Sequence, residues 1–194
     1  MALSKIQSES INLADTFAFT GTVSGIASGV KQTVVHQETN VGATFVSSGT
    51  AYCLMSATNA SDSTSKMEVT ITPSSASAKI LISVHCIFEG NAAAHDTVWT
   101  LYRNTSTRLG QPDDSNRRGG IATTATALDG NNDSTMESTN FIFVDEPNST
   151  SATTYTLAFS NSTSMTVYLN RTIAYGDSSG IERGISTIVA QELG

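Results

Sequence analysis

From residue 51 to the strand-like run at 184–193, short stretches of alternating apolar and polar residues recur, with clusters of Ser, Thr, Asn, Asp, Gly and Pro between them. This period of two constrains the fold more than any other feature. Successive side chains on a β-strand point to opposite faces, whereas a helix needs an apolar repeat of about 3.6 residues to bury one side. Strands are expected near 51–57, 65–72, 79–89, 96–103, 119–126, 137–144, 153–160, 163–170 and 184–193. No part of this region carries a sustained helical period. Many short strands with turn signals between them predict an all-β fold, an antiparallel β-sandwich or jelly-roll knob. In "TTYTLAFS" Tyr155, Leu157 and Phe159 share one face, and in "TSMTVYLN" Met165, Val167 and Leu169 do the same. The "SNST" between them predicts a β-hairpin.

Composition agrees. Ser and Thr make up more than a quarter of the chain; Thr suits strands and Ser suits turns. The 39% of hydrophobic residues, set in regular alternation, argues against a disordered Ser/Thr linker. A chain of 194 residues is one good-sized domain with an appendage. A globular part of about 150 residues buries roughly 70% of its unfolded surface and needs no disulfide or metal staple. The net charge of −7 argues against a nucleic-acid partner. Its one basic cluster, Arg117–Arg118, follows two aspartates and reads as a solvated loop. The opening "MALSKIQSES" has no apolar core of a signal peptide, and no run reaches the length of a membrane span, which predicts folding in a cytoplasm without membrane insertion. Six Asn-x-Ser/Thr triplets are therefore read as chance in a Ser/Thr-rich chain rather than as glycan acceptors.

Three regions follow from the pattern. Residues 1–29 are polar with small apolar clusters, too short for a core of their own, and gain order by packing on other copies or a larger assembly. Residues 30–49 supply one or two further strands or a short connecting shaft, with the boundary at "SSG" 47–49, and residues 50–194 form the knob.

Chemical candidates are few. His85 and Cys86 adjoin in "AKILISVHCIF", but on a strand Cys86 joins Ile80, Ile82, Val84 and Phe88 while His85 points the other way. Neighbours on a strand do not act on each other as nucleophile and base. A core thiol is the reading for Cys86, and for Cys53; His36 and His95 remain the alternative partners for a reactive Cys86. There is no G-x-S-x-G elbow, and no Cys or His spacing matches a zinc site. Asp129, Asn131 and Asp133 alternate as in the first half of a calcium loop, but Ser134 replaces its glycine and Asn140 its bidentate glutamate, so an exposed Asx turn is expected and no metal is assigned. The pairs Asp113/Asp114 and Asp145/Glu146 sit on turn-like segments with no reason to face each other across a cleft. No catalytic residue and no cofactor is expected.

Four segments, in order, resemble tail-fibre-like virion proteins of tailed phages from marine bacteria and cyanobacteria. "ITPSSASAKILISV" resembles their strand, Pro-Ser-rich turn, Lys and strand. "LYRNTSTRLG" is similar to a strand carrying Tyr and Arg, "DEPNSTSATTYTLAF" to an Asp-x-Pro turn leading into a strand, and "TVYLNRT" to the next strand, which ends in Asn. The N-terminal "LSKIQSESINLADTFAFTGTVSG" resembles segments that begin virion fibre proteins. The resemblance implies a knob shaped like complement and tumour-necrosis-factor heads, assembly as a homotrimer, and a non-enzymatic structural role on the virion after assembly in the host cytoplasm. The implied partners are further copies, other tail or capsid proteins, and a host surface glycan or protein. On this reading Ile11, Leu13, Phe17 and Phe19 serve virion attachment and trimer packing. Asp113, Asp114, Asn116, Arg117, Arg118, Asn131 and Asn132 form the candidate receptor-contact loops. The chain has almost no shaft, which also fits a capsid decoration, head fibre or tail cement protein that meets no receptor.

Overall fold

The alternating segments are strands. The computed structural model describes residues 29–92, 94–112, 117–125 and 134–194, and among these residues there are twelve strands, one short 3-10 turn at Ala94–Asp96 and no α-helix. In chain order the strands are β1 (Val30–Glu38), β2 (Thr44–Ser47), β3 (Cys53–Leu54), β4 (Glu68–Ile71), β5 (Lys79–Gly90) and β6 (Val98–Arg103). They continue with β7 (Thr107–Arg108), β8 (Ala122–Thr123), β9 (Glu137–Asp145), β10 (Thr153–Ser160), β11 (Met165–Leu169) and β12 (Ser186–Leu193).

Two antiparallel sheets result. The first runs β1-β12-β5-β9; β11 takes over from β12 beside the end of β5 and carries β2 on its far side. The second places β3 and β4 beside β10, then β6, then β7 and β8. Taking β1, β4, β5, β6, β8, β9, β10 and β12 as first to eighth, the sheets read 1-8-3-6 and 2-7-4-5. That is the strand order of a jelly roll, in which all neighbours in sequence but the fourth and fifth lie in different sheets.

The core lies between the sheets, on the inward rows that the alternation marks. Ile80, Ile82, Val84, Cys86 and Phe88 of β5 meet Tyr155, Leu157 and Phe159 of β10 in one cluster. Trp99 is fully buried, 4.6 Å from the Phe88 ring in one sheet and 5.5 Å from the Phe159 ring in its own. Its indole N–H donates to Thr124 Oγ1 at 3.2 Å, so the large apolar ring enters the core without an orphaned donor.

Two expectations need correction. The expected hairpin of 153–160 and 163–170 does not exist: β10 belongs to the second sheet and β11 to the first. The chain passes from one sheet to the other at buried Asn161, whose side-chain amide donates to Thr97 Oγ1 (2.8 Å) and whose side-chain carbonyl accepts from the Thr163 amide (3.1 Å). The inward faces were read correctly, but they look at each other across the sandwich rather than along one sheet. Of the two alternatives for residues 30–49, the structure has two further strands and not a connecting shaft, and only the boundary shifts. β1 pairs with β12 from Val30 to Glu38, and β2 pairs with β11 through Ser47–Met165, so among the described residues the sandwich begins at residue 30 and the boundary expected at 47–49 falls inside it. β1 escapes a simple alternation reading because it is an edge strand with most of its length exposed.

Candidate functional site

The two sheets treat their outer faces differently. On the second sheet Thr100, Thr156, Ala158 and Ser160 point away from the core, yet none is exposed to solvent. The chain's own loops seal that side. Thr100 Oγ1 donates to Leu109 O (2.6 Å) and Ser160 Oγ to Thr50 O (2.8 Å). Tyr52 packs on Tyr102 with ring centroids 6.1 Å apart, its hydroxyl bonds Gly119 O, and Arg108 lies 4.6 Å above its ring.

The first sheet leaves its outer face open. Cross-strand register sets Val35, Val189, Ser83 and Ile142 in one row across β1, β12, β5 and β9. Thr33, Gln191, Leu81 and Val144 form the row on one side, and Gln37, Thr187, His85 and Asn140 the row on the other. Val35 is 57%, Ile142 68% and Val144 46% exposed. Beyond the last row Ile87 and the 48%-exposed Ile185 extend the apolar surface. No Lys, Arg, Asp or Glu occupies these three rows. An ion pair on this side, Lys79–Glu146 at 3.2 Å, lies past the Leu81 end. At that same end a cleft of about 230 Å³ opens between Lys31, Ser75, Lys79 and Leu193, smaller than the roughly 300–1,000 Å³ typical of small-molecule sites.

The sequence candidates fall as follows. Cys86 lies in the core and His85 on the open face. Burial pushes the Cys86 thiol up to about 12 and the Cys53 thiol up to about 11, so both are protonated hydrophobes at neutral pH. His36 is engaged elsewhere: its Nε2 bonds Lys66 O at 2.9 Å, with Glu38 Oε2 3.6 Å away. The His85 Nδ1–H donates to Asn140 Oδ1 on the neighbouring strand.

Arg118, expected as a solvated tip residue, is instead a brace. It donates to Asp96 O (2.6 Å) and Asp96 Oδ1 (2.8 Å), while the Ser162 hydroxyl and then Arg118 hold the Asp96 carboxyl below its ordinary range. Arg117 beside it is exposed. Asp113, Asp114, Asn116, Asp129, Asn131, Asn132 and Asp133 lie outside the described residues, as do Ile11, Leu13, Phe17 and Phe19. Asp145 is not a turn residue but ends β9, where it accepts two bonds from Arg103 Nη1 (3.0 and 2.9 Å) and one from the Tyr155 hydroxyl (2.8 Å). Among the described residues no group of three or more His, Cys, Asp and Glu is arranged to hold a metal ion, and no helix is long and apolar enough to cross a membrane.

Sequence reading missed two polar contacts inside the segments it singled out. Ser74, in the Pro-Ser-Ser-Ala-Ser turn, gives its amide (3.0 Å) and hydroxyl to buried Glu192 of β12, and those bonds, the hydroxyl's foremost, hold that carboxyl below its usual range. Asn170, closing "TVYLN", sits at φ +59° and donates to Glu38 O (2.7 Å) and Asn40 O (3.0 Å), while its carbonyl accepts from Ser186 Oγ (2.6 Å). The Asn was the available signal, since Asn tolerates the left-handed region better than most residues. No protein-family model matches the chain, and no curated protein matches it in sequence.

Proposed function

We propose that the chain is a non-enzymatic structural protein of a tailed-phage virion, a homotrimeric tail fibre or appendage whose knob contacts the host surface. The open outer face of the first sheet carries this reading. A jelly roll that seals one outer face with its own loops and leaves Val35, Ile142, Val144 and Ile185 bare on the other has a surface made to be covered.

Its occupant is another copy of the chain. The three central rows hold no fixed charge, so copies meet there without like-charge repulsion despite the net charge of −7. Four strands about 4.8 Å apart and seven residues of β5 span an area of roughly 400–450 Å² in projection. Side chains and rim bring this toward the roughly 600–1,000 Å² per partner that stable complexes bury. The four segments that resemble virion proteins lie where such a knob needs turns and core strands: β4 to β5, β6 to β7, β9 to β10, and β11. Three parallel knobs also add weak surface contacts into firm adhesion.

The test is mass in solution followed by location. Light scattering is expected to give three protomers, and Ile142→Lys, at a site that packs on nothing in the protomer's core, is expected to give one while circular dichroism stays unchanged. A single-protomer mass for the unaltered chain removes the proposal. Antibody labelling of intact particles is expected on the tail, with free knob competing for host cells; labelling on the head without cell binding reassigns the chain to capsid decoration.

A further inference from the structure

The open face has one titratable side chain in its middle rows, His85. We infer that the charge of His85 governs assembly: copies stay together while its ring is neutral and separate when it is protonated. This rests on the reading of the open face as the contact between copies.

Around His85 the Asn140 amide oxygen accepts the Nδ1–H, but no carboxylate stands beside the ring to pair with an imidazolium. At its own level lie Asn140 of β9, Thr187 of β12 and, beyond Thr187, Gln37 of β1. Along β5 its neighbours on the same face are Ser83 and Ile87. The next carboxylate on that face of β5 is Glu89, about 13 Å along the strand at 3.3 Å per residue. Glu89 is fully buried, with Oε2 accepting from the Ile173 amide, and so is turned under the loop between β11 and β12. That loop also carries Arg171, Asp177, Glu182 and Arg183. Arg171 and Arg183 both stack on Tyr175, at 4.5 and 4.8 Å from its ring centre, and both give N–H groups to loop carbonyls. Lys31 and the Lys79–Glu146 pair sit at the other end of the sheet.

In the free protomer His85 is exposed, and water serves either form of its ring. A covering copy removes that water and offers Val, Ile, Thr, Gln and Ser in its place, plus, in a symmetric assembly, the His85 of the other copies. Desolvation and like charge both favour the neutral ring. The sign follows by linkage. Assembly favours the neutral ring, so the contact between copies weakens as falling pH protonates His85. Each pH unit of lowered affinity at each of three sites weakens the trimer constant tenfold per site, about a thousandfold in all.

The experiment is light scattering of the full chain at pH 8 and pH 5.5, beside His85→Gln, which keeps a polar side chain and takes no charge. Near-ultraviolet circular dichroism at both pH values confirms that the fold persists. The expected result is a trimer at pH 8 that falls to protomers at pH 5.5, with His85→Gln trimeric at both. A trimer at both pH values in the unaltered chain overturns the role of His85 and leaves the open face as the contact. Parallel dissociation of the unaltered chain and His85→Gln places the titrating group elsewhere and also overturns it. Protomers at pH 8 overturn the contact itself, and this inference with it.

Discussion

Asp145 ties three strands through one carboxylate. Arg103 of β6 and Tyr155 of β10 both reach it at the end of β9, so it joins the two sheets. Its removal strands two donors at once, one of them a guanidinium. Asp145→Ala is therefore expected to cost about 3 kcal/mol, whereas Tyr155→Phe, which deletes one donor and keeps the packing, costs about 1 kcal/mol; urea unfolding separates them. Equal losses would mean that Arg103 gains nothing from Asp145. Glu137 shows the opposite case. Burial first, then the Glu89 charge, push its carboxyl up to about 7, against the opposing Gly90 amide. The folded protein holds that proton between the ordinary 4.5 and about 7 while the unfolded chain has released it. Stability should thus fall as pH rises across that window, by on the order of 3 kcal/mol, and level off above it. Glu137→Gln should flatten the slope in thermal melts, and an unchanged slope would exclude Glu137 as its source. At this scale the sequence is legible where the rule is local. Alternation alone separated Cys86 from His85, but Ser74 and Glu192 stand 118 residues apart, and no local pattern announces their bond.

Strands carry the same lesson in a different form. Nine expected strands have counterparts within a few residues, because apolar alternation and turn residues are written in the chain itself. β7, two residues long, was missed, being too short to show a period. Pairing was not legible either. Tyr155, Leu157 and Phe159 face inward as read, and so do Met165, Val167 and Leu169, yet β10 and β11 lie in different sheets. A period of two reports which side is buried and is silent on whether the next strand lies beside or opposite. The open face was equally hidden, since it arises only when β1, β12, β5 and β9 come together from distant parts of the chain. The crossing at Asn161 has an energetic consequence that a surface hairpin turn would lack. Asn161→Ala leaves Thr97 Oγ1 and the Thr163 amide without their buried partner, so unfolding followed by Trp99 fluorescence should show a loss of about 1–3 kcal/mol. A loss of only a few tenths, as at an exposed turn, would mean that the crossing is held by its strands alone.

For the whole molecule, the decisive question is whether folding and association are one process. If the open face is covered by copies, each protomer's stability includes a share of the contact, and unfolding depends on concentration. For three copies, tenfold dilution removes about two-thirds of 1.4 kcal/mol per protomer, or ~0.9 kcal/mol. In a chain of this size that lowers Tm by about 2–4 °C per tenfold dilution. Ile142→Lys should abolish the dependence and unfold at one lower temperature whatever the concentration. Its side chain is 68% exposed in the protomer, so the fold loses little by the change while the contact gains a buried charge. Val35→Lys, three strands further across the same row, should act alike. A substitution on the outer side of the second sheet, such as Thr70→Lys at the exposed position of β4, should leave the concentration dependence intact. Were Thr70→Lys to remove it while Ile142→Lys did not, the contact between copies would lie on the second sheet, and the apolar rows of the first would need another occupant.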